Sequence, residues 1–167
     1  MLFLMYSLQI VSAMFDKILI SRCFLGENVR YNNIAIALKN PLILQWQQQK
    51  RLIPICPEVA GGLAVPREPA EIQQKNHKVI TQSGTDVSAQ FNYGAQLALM
   101  LCQQHNIRFA LLKESSPSCG SKKVYDGSFS NKKVAGKGIT SQLLSDHNIK
   151  VFSESTIEEL KELLDKV

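Results

Sequence analysis

The sequence predicts a single-domain α/β protein: a mostly parallel sheet with helices on both faces, Rossmann-like in plan. Two observations predict it. Short apolar runs alternate four times with amphipathic stretches at helical spacing, the pattern of buried strands joined by crossover helices. At 167 residues the chain has the length of one domain, and no repeat or long linker divides it. The elements follow in order. Met1 to Phe15 carry no charge, and Val11-Ser12-Ala13 resembles a cleavage site. No positive n-region precedes it, which disfavours secretion. Residues 1–15 therefore read as an apolar N-terminal extension, with 1–13 a leader from an upstream start codon or a segment packing on a neighbour. Residues 16–167 form the domain. Lys17 to Ser21 reads as the first strand, Leu42 to Gln49 as a short helix, and Arg51 to Ile55 as the second strand, stopped by Cys56-Pro57. Residues 56–84 are rich in Pro and Gly and read as loop, with a short strand over Lys78 to Thr81. Asp86 to His105 is the longest helical pattern, with the Asp86 carboxylate as N-cap and Asn106 as its end. Ile107 to Leu112 is the third strand. Gly138 to His147 is a helix with Asn148 as a left-handed stop, and Lys150 to Ser153 is the fourth strand. Ser155-Thr156-Ile157-Glu158 reads as a capping box for a last helix whose apolar face is Ile157, Leu160, Leu163 and Leu164.

Composition excludes several classes. Hydrophobic residues make up 45% of the chain, too many for intrinsic disorder. No apolar run reaches the roughly 18 residues of a membrane span. Four cysteines are too few for a disulfide scaffold in a chain this long. The net charge is +5, and five lysines fall between Lys122 and Lys137 with only Asp126 opposing them. Such a balance suits an anionic or nucleobase-like partner without requiring one.

Three cysteines share a position. Cys23, Cys56 and Cys119 each follow a predicted strand, flanked by Gly or Pro. In an open parallel sheet ligands sit outside the carboxyl ends of the strands, so the three thiols converge on one edge. Three thiolates suit a soft metal: zinc or an iron–sulfur cluster. The bland alternative is three unliganded thiols at strand ends. Cys102, mid-helix on an apolar face, reads as core packing. Glu58, two residues after Cys56, reads either as a general acid or base or as a charge at a helix start. Ser115, Ser116 and Ser118 surround Cys119 and offer hydroxyls to a ligand or to the turn. Gly136-Lys137-Gly138 opens a helix but lacks a phosphate-binding fingerprint. His77, His105 and His147 read as loop or helix-end residues and fit no triad.

At these residues the chain resembles the thiouracil desulfidase family. The matching stretches are Ile18-Leu19-Ile20-Ser21 with Cys23-Phe24-Leu25-Gly26, Val29-Arg30-Tyr31-Asn32, Cys56-Pro57-Glu58 with Gly61-Gly62, and Pro66-Arg67-Glu68-Pro69-Ala70-Glu71-Ile72. Further on come Gly84-Thr85-Asp86-Val87-Ser88, Phe91 with Gly94-Ala95, and Leu112-Lys113 with Ser116-Pro117-Ser118-Cys119-Gly120. Tyr125-Asp126-Gly127 and Gly136-Lys137-Gly138 complete the set, which spans residues 17–154. The resemblance implies a [4Fe-4S] cluster on Cys23, Cys56 and Cys119 with one open iron. It also implies non-redox removal of sulfur from thiolated uracil, with Glu58 activating water and Ser116 orienting substrate or relaying a proton. Two positions depart from the family pattern. Arg22 stands where a small residue is usual and Asn33 where Gly is expected, and Arg22 adds bulk and charge beside the site.

The expected protein is thus a cytoplasmic desulfidase acting on a small thiolated nucleobase, with no membrane role and its oligomeric state open. A cluster-binding sensor or sulfur-handling protein without turnover is the alternative from another class. A zinc protein binding RNA through the lysines of 122–137 ranks last, since charge runs are usually solvated faces.

Overall fold

A computed structural model describes residues 15–166. Apart from Phe15, the N-terminal extension and its cleavage-like step lie outside the described residues. Strand β1 (Ile18–Ser21) runs into a 3-10 turn (Arg22–Leu25). Helix α1 (Pro41–Gln48) leads to β2 (Leu52–Ile55), and a short α2 (Pro57–Ala60) follows at once. A hairpin of β3 (Ala70–Ile72) and β4 (Val79–Thr81) precedes the long α3 (Ser88–Gln104) and β5 (Phe109–Leu111). A second hairpin, β6 (Lys123–Tyr125) and β7 (Lys133–Ala135), leads into α4 (Ile139–Asp146), β8 (Lys150–Phe152) and α5 (Ile157–Asp165).

The main sheet has the order β2-β1-β5-β8, and every pairing is parallel. Side chains alternate across it as the two-residue period of a strand requires. Ile18, Ile20, Phe109, Leu111 and Phe152 pack with Leu42, Ile43 and Trp46 of α1 and with Ile157, Leu160 and Leu164 of α5. Leu19, Ile55 and Ala110 pack with Ala98, Leu99 and Cys102 of α3 and Leu144 of α4. Both faces are therefore covered, as the apolar runs predict. The chain winds outward one way from β1 to β2 and the other way through β5 to β8. The reversal lies between β1 and β5, where such sheets open a crevice for ligand.

Both hairpins are antiparallel and belong to neither face. Ile72, Val79 and Val124 pack with Val87 and Phe91 at the start of α3 as a small third core. Of their four strands only β4 was expected. Strands three residues long show no periodicity, and β6 and β7 both begin with lysine.

Two caps differ from expectation. The Asp86 Oδ1 accepts the Ser88 N–H at 3.0 Å, but α3 begins after Val87, so Asp86 closes a turn one residue outside the helix. The Ser155–Glu158 box is not formed. Thr156 is the N-cap of α5 and makes no side-chain cap bond to the helix. Its Oγ1 instead accepts the Ser153 N–H at 2.9 Å, which fixes the turn leaving β8. Asn106 and Asn148 end their helices with φ of 52° and 61°, as their residue type allows.

Candidate active site

A cavity of about 600 Å³ opens at the carboxyl ends of all four parallel strands. Cys23 enters it from the turn after β1, Cys56 and Glu58 from the start of α2, Ser116 and Cys119 from the loop after β5, and Glu154 from the turn after β8. Each is held by local geometry. Gly26, at φ 87°, closes the Arg22–Leu25 turn by donating its N–H to the Cys23 carbonyl at 3.2 Å. Cys56 is extended, and Pro57 in the first position of α2 presets the helical φ. α2 lies directly on α3: a Cβ on Gly94 would fall 1.8 Å from the Pro57 carbonyl oxygen. Only a glycine there lets the Cys56–Glu58 corner seat. The Cys119 loop is fixed by its own turn, in which the Gly120 N–H reaches the Ser116 carbonyl at 2.9 Å. From α4, Ser141 Oγ donates to the Cys119 carbonyl at 2.6 Å.

The sequence-predicted residues Cys23, Cys56, Cys119, Glu58 and Ser116 all line this one cavity. Cys102 does not: it is 1% exposed inside α3, within the core. Ser118 is also fully buried, and its hydroxyl pairs with Thr140 at 2.8 Å. The three histidines sit in a turn and at two helix ends.

All four thiols are free. Burial pushes the Cys23 thiol up to about 11, and a neighbouring Cys56 thiolate adds to it, while Arg30 and Lys113 pull it down. Burial likewise raises Cys56. Cys119 is raised by burial and then by the charges of Cys56, Glu58 and Cys23. Cys23 and Cys119 thus lie within electrostatic reach of Cys56, and burial favours the protonated thiols. Among the described residues no three His, Cys, Asp or Glu stand close enough to share a single metal ion. Three thiols brought to one cavity from three different loops are the donor set of a soft metal centre.

Glu58 is locked from one side. Its Oε2 accepts Nε and Nη2 of Arg67 at 2.9 and 2.6 Å, and the side chains are only 14% and 10% exposed. Its Oε1 is left to the Ser116 hydroxyl, which donates to it at 3.3 Å. The Ser116 oxygen in turn accepts the N–H groups of Ser118 and Cys119 at 3.1 and 3.2 Å. On the other side Arg67 Nη2 donates to the Val29 carbonyl at 3.0 Å, which also faces the Cys56 Sγ at 3.8 Å. A continuous polar chain therefore runs Cys56, Val29, Arg67, Glu58, Ser116, Cys119. It ties the Cys56 thiol and the backbone of Cys119 to the Glu58 carboxylate. Arg67 lies in the matching stretch Pro66-Arg67-Glu68, yet nothing in its spacing assigns it a role. Only the fold brings it to Glu58.

Glu114 is a second residue that sequence reasoning misses. Its Oε1 accepts the N–H groups of Ser115, Ser121, Lys122 and Lys123 at 3.0–3.2 Å, and its Oε2 accepts the Ser121 hydroxyl. Burial works against its charge, but the Ser121 hydroxyl and these N–H groups outweigh it and hold the carboxyl down, from 4.5 to about 2. Glu154 joins the same edge, accepting the Glu114 N–H at 2.9 Å and pairing with Lys113. The folded value of Glu114 lies below the unfolded one. Its contribution to stability is therefore full above about 4.5 and lost as pH falls through about 2. Glu114→Gln should lower Tm at neutral pH. The gap between parent and variant in a chemical denaturation series should close between pH 4.5 and 2; a gap independent of pH contradicts the assignment.

The 2-thiouracil desulfurase family model matches residues 18–156. The "Uncharacterized protein YbbK" of Bacillus subtilis (strain 168) is 37% identical over 151 residues, covering 86% of this chain and 99% of that protein. A solved structure, the [4Fe-4S]-dependent thiouracil desulfidase TudS, is 47% identical with a TM-score of 0.88, covering 91% of this chain and 99% of that one. Among the described residues no helix is long and apolar enough to cross a membrane.

Proposed function

The chain belongs to the 2-thiouracil desulfurase family, and from that membership we propose that it is a [4Fe-4S]-dependent desulfidase converting thiouracil to uracil and sulfide. The observation that carries the reading is the meeting of three strand-end thiols with Glu58 and Ser116 in one cavity. Cys23, Cys56 and Cys119 are the residues that would hold the cluster. Three protein ligands would leave one iron without a protein ligand. Bound there, the cluster would supply Lewis-acid chemistry toward the thiocarbonyl sulfur.

The residues of the chain do the rest. The reaction exchanges C=S and water for C=O and hydrogen sulfide, so no electron donor is consumed. Glu58 Oε1 takes the proton from the attacking water, because Arg67 already occupies Oε2. Arg67 holds the carboxylate in place through two hydrogen bonds to Oε2. The Ser116 hydroxyl, fixed by two backbone N–H groups, sets the direction of Oε1 and can pass the proton on. We place the protein in the cytosol, where thiols stay reduced and a cluster with an open iron is protected. The substrate is the small thiolated pyrimidine, and no nucleic acid or membrane partner is required. The test is anaerobic turnover by iron-loaded protein with no reductant present. Uracil and sulfide should form in equal amounts. No sulfide from any thiolated pyrimidine would favour a sensor or sulfur-handling role.

A further inference from the structure

We infer that Phe129, at the tip of the β6–β7 hairpin, is the residue that stacks on the pyrimidine ring, and that Glu71 holds it there; the inference rests on the thiopyrimidine reading above. A pyrimidine is flat, with apolar faces that an aromatic ring covers well. Three aromatic residues line the cavity: Tyr31, Tyr125 and Phe129. Two already carry a cation. The Arg30 guanidinium sits 5.9 Å from the Tyr31 centroid and the Lys133 ammonium 5.3 Å from that of Tyr125. Among the described residues no cation lies over Phe129. Its half-buried ring is the aromatic surface left for a ligand.

The tip is held unusually firmly for an exposed hairpin. Glu71 on β3 is 8% exposed and, among the described residues, has no cationic partner. Its Oε2 accepts the N–H groups of Gly127 at 2.8 Å and Phe129 at 3.1 Å. Gln73 Nε2 adds a bond to the Gly127 carbonyl at 3.0 Å. Gly127 has φ 93°, and a Cβ there would fall 2.8 Å from the Ile72 carbonyl oxygen. Phe129 itself is left-handed, at φ 55°, a conformation a bulky residue keeps only when its surroundings impose it. Burying a carboxylate to bind two loop N–H groups carries a desolvation cost. A fixed wall for the ligand is what that arrangement provides. Glu71 is thus a positioning residue, separate from the chemistry of Glu58.

The test uses the cluster-loaded protein with thiouracil as substrate and uracil as a non-reacting probe. Phe129→Ala should raise KM for thiouracil and the dissociation constant for uracil by roughly 5- to 100-fold, the worth of one base–aromatic stack. Its kcat should stay within about threefold of the parent, since no reacting atom touches the ring. Phe129→Trp should restore affinity, and uracil should quench its indole emission. Glu71→Ala, which removes the acceptor of both N–H groups, should raise KM while sparing kcat. Unchanged KM and uracil affinity in Phe129→Ala, with an active parent, would overturn the inference and leave the desulfidase reading standing. A parent that neither turns over thiouracil nor binds uracil, with no quenching in Phe129→Trp, would overturn both.

Discussion

Cys23→Ser, Cys56→Ser and Cys119→Ser should each lose the cluster and sulfide release together, while Cys102→Ser should keep both. The expectation follows from placement. Each of the three lies at the end of a different parallel strand and lines the cavity, whereas Cys102 is packed against Leu19 and Leu99 inside the core. A serine hydroxyl ionises far less readily than a thiol and is a poor ligand for iron. On the proposed ligation, removing one of the three thiols would leave the cluster two protein ligands. Anaerobic reconstitution should load about four irons and four sulfides per chain in the parent and in Cys102→Ser. The other three should show little iron and no charge-transfer absorption. Cys102→Ser carries its own cost, because a hydroxyl buried without a partner is worth about 1–3 kcal/mol of stability. It should melt earlier yet remain an enzyme. Full iron content in any of the three strand-end variants removes that residue from the ligand set.

Glu58→Gln should retain the cluster spectrum and lose about 10²–10⁴-fold in the rate of sulfide release, the usual worth of a general base. Gln keeps the length and can still accept from Arg67, so the Cys56 corner stays in place. What it loses is the basic Oε1 facing Ser116. Ser116→Ala should cost less if the hydroxyl only directs Oε1, and as much if it carries the proton. Turnover by Glu58→Gln at the parental rate, with iron content matched, would reduce Glu58 to a helix-start charge paired with Arg67.

The sheet and the thiols were legible for the same reason. Ile18–Ser21, Leu52–Ile55 and Phe109–Leu111 are apolar runs between amphipathic helices, and a cysteine follows each of them within a few residues to a few turns of chain. Parallel topology then sends all three to one edge. The hairpins were not legible, because Ala70–Ile72, Lys123–Tyr125 and Lys133–Ala135 are too short and too polar to show a period. Nor were Arg67 and Glu114. Arg67 acquires its role only when the loop after α2 folds back on Glu58. Glu114 works through backbone N–H groups, which every residue possesses and no side-chain pattern reveals. The capping box at Ser155 shows the reverse error. The residue types fit, but Ser153 and Thr156 bind each other first.

On the proposed mechanism, water replaces sulfur at this site without electron transfer. Anaerobic turnover of thiouracil by iron-loaded protein in heavy-oxygen water, with no reductant, tests it most directly. The uracil formed should carry one labelled oxygen for every sulfide released. Unlabelled uracil, or sulfide release that depends on an added electron donor, would contradict it.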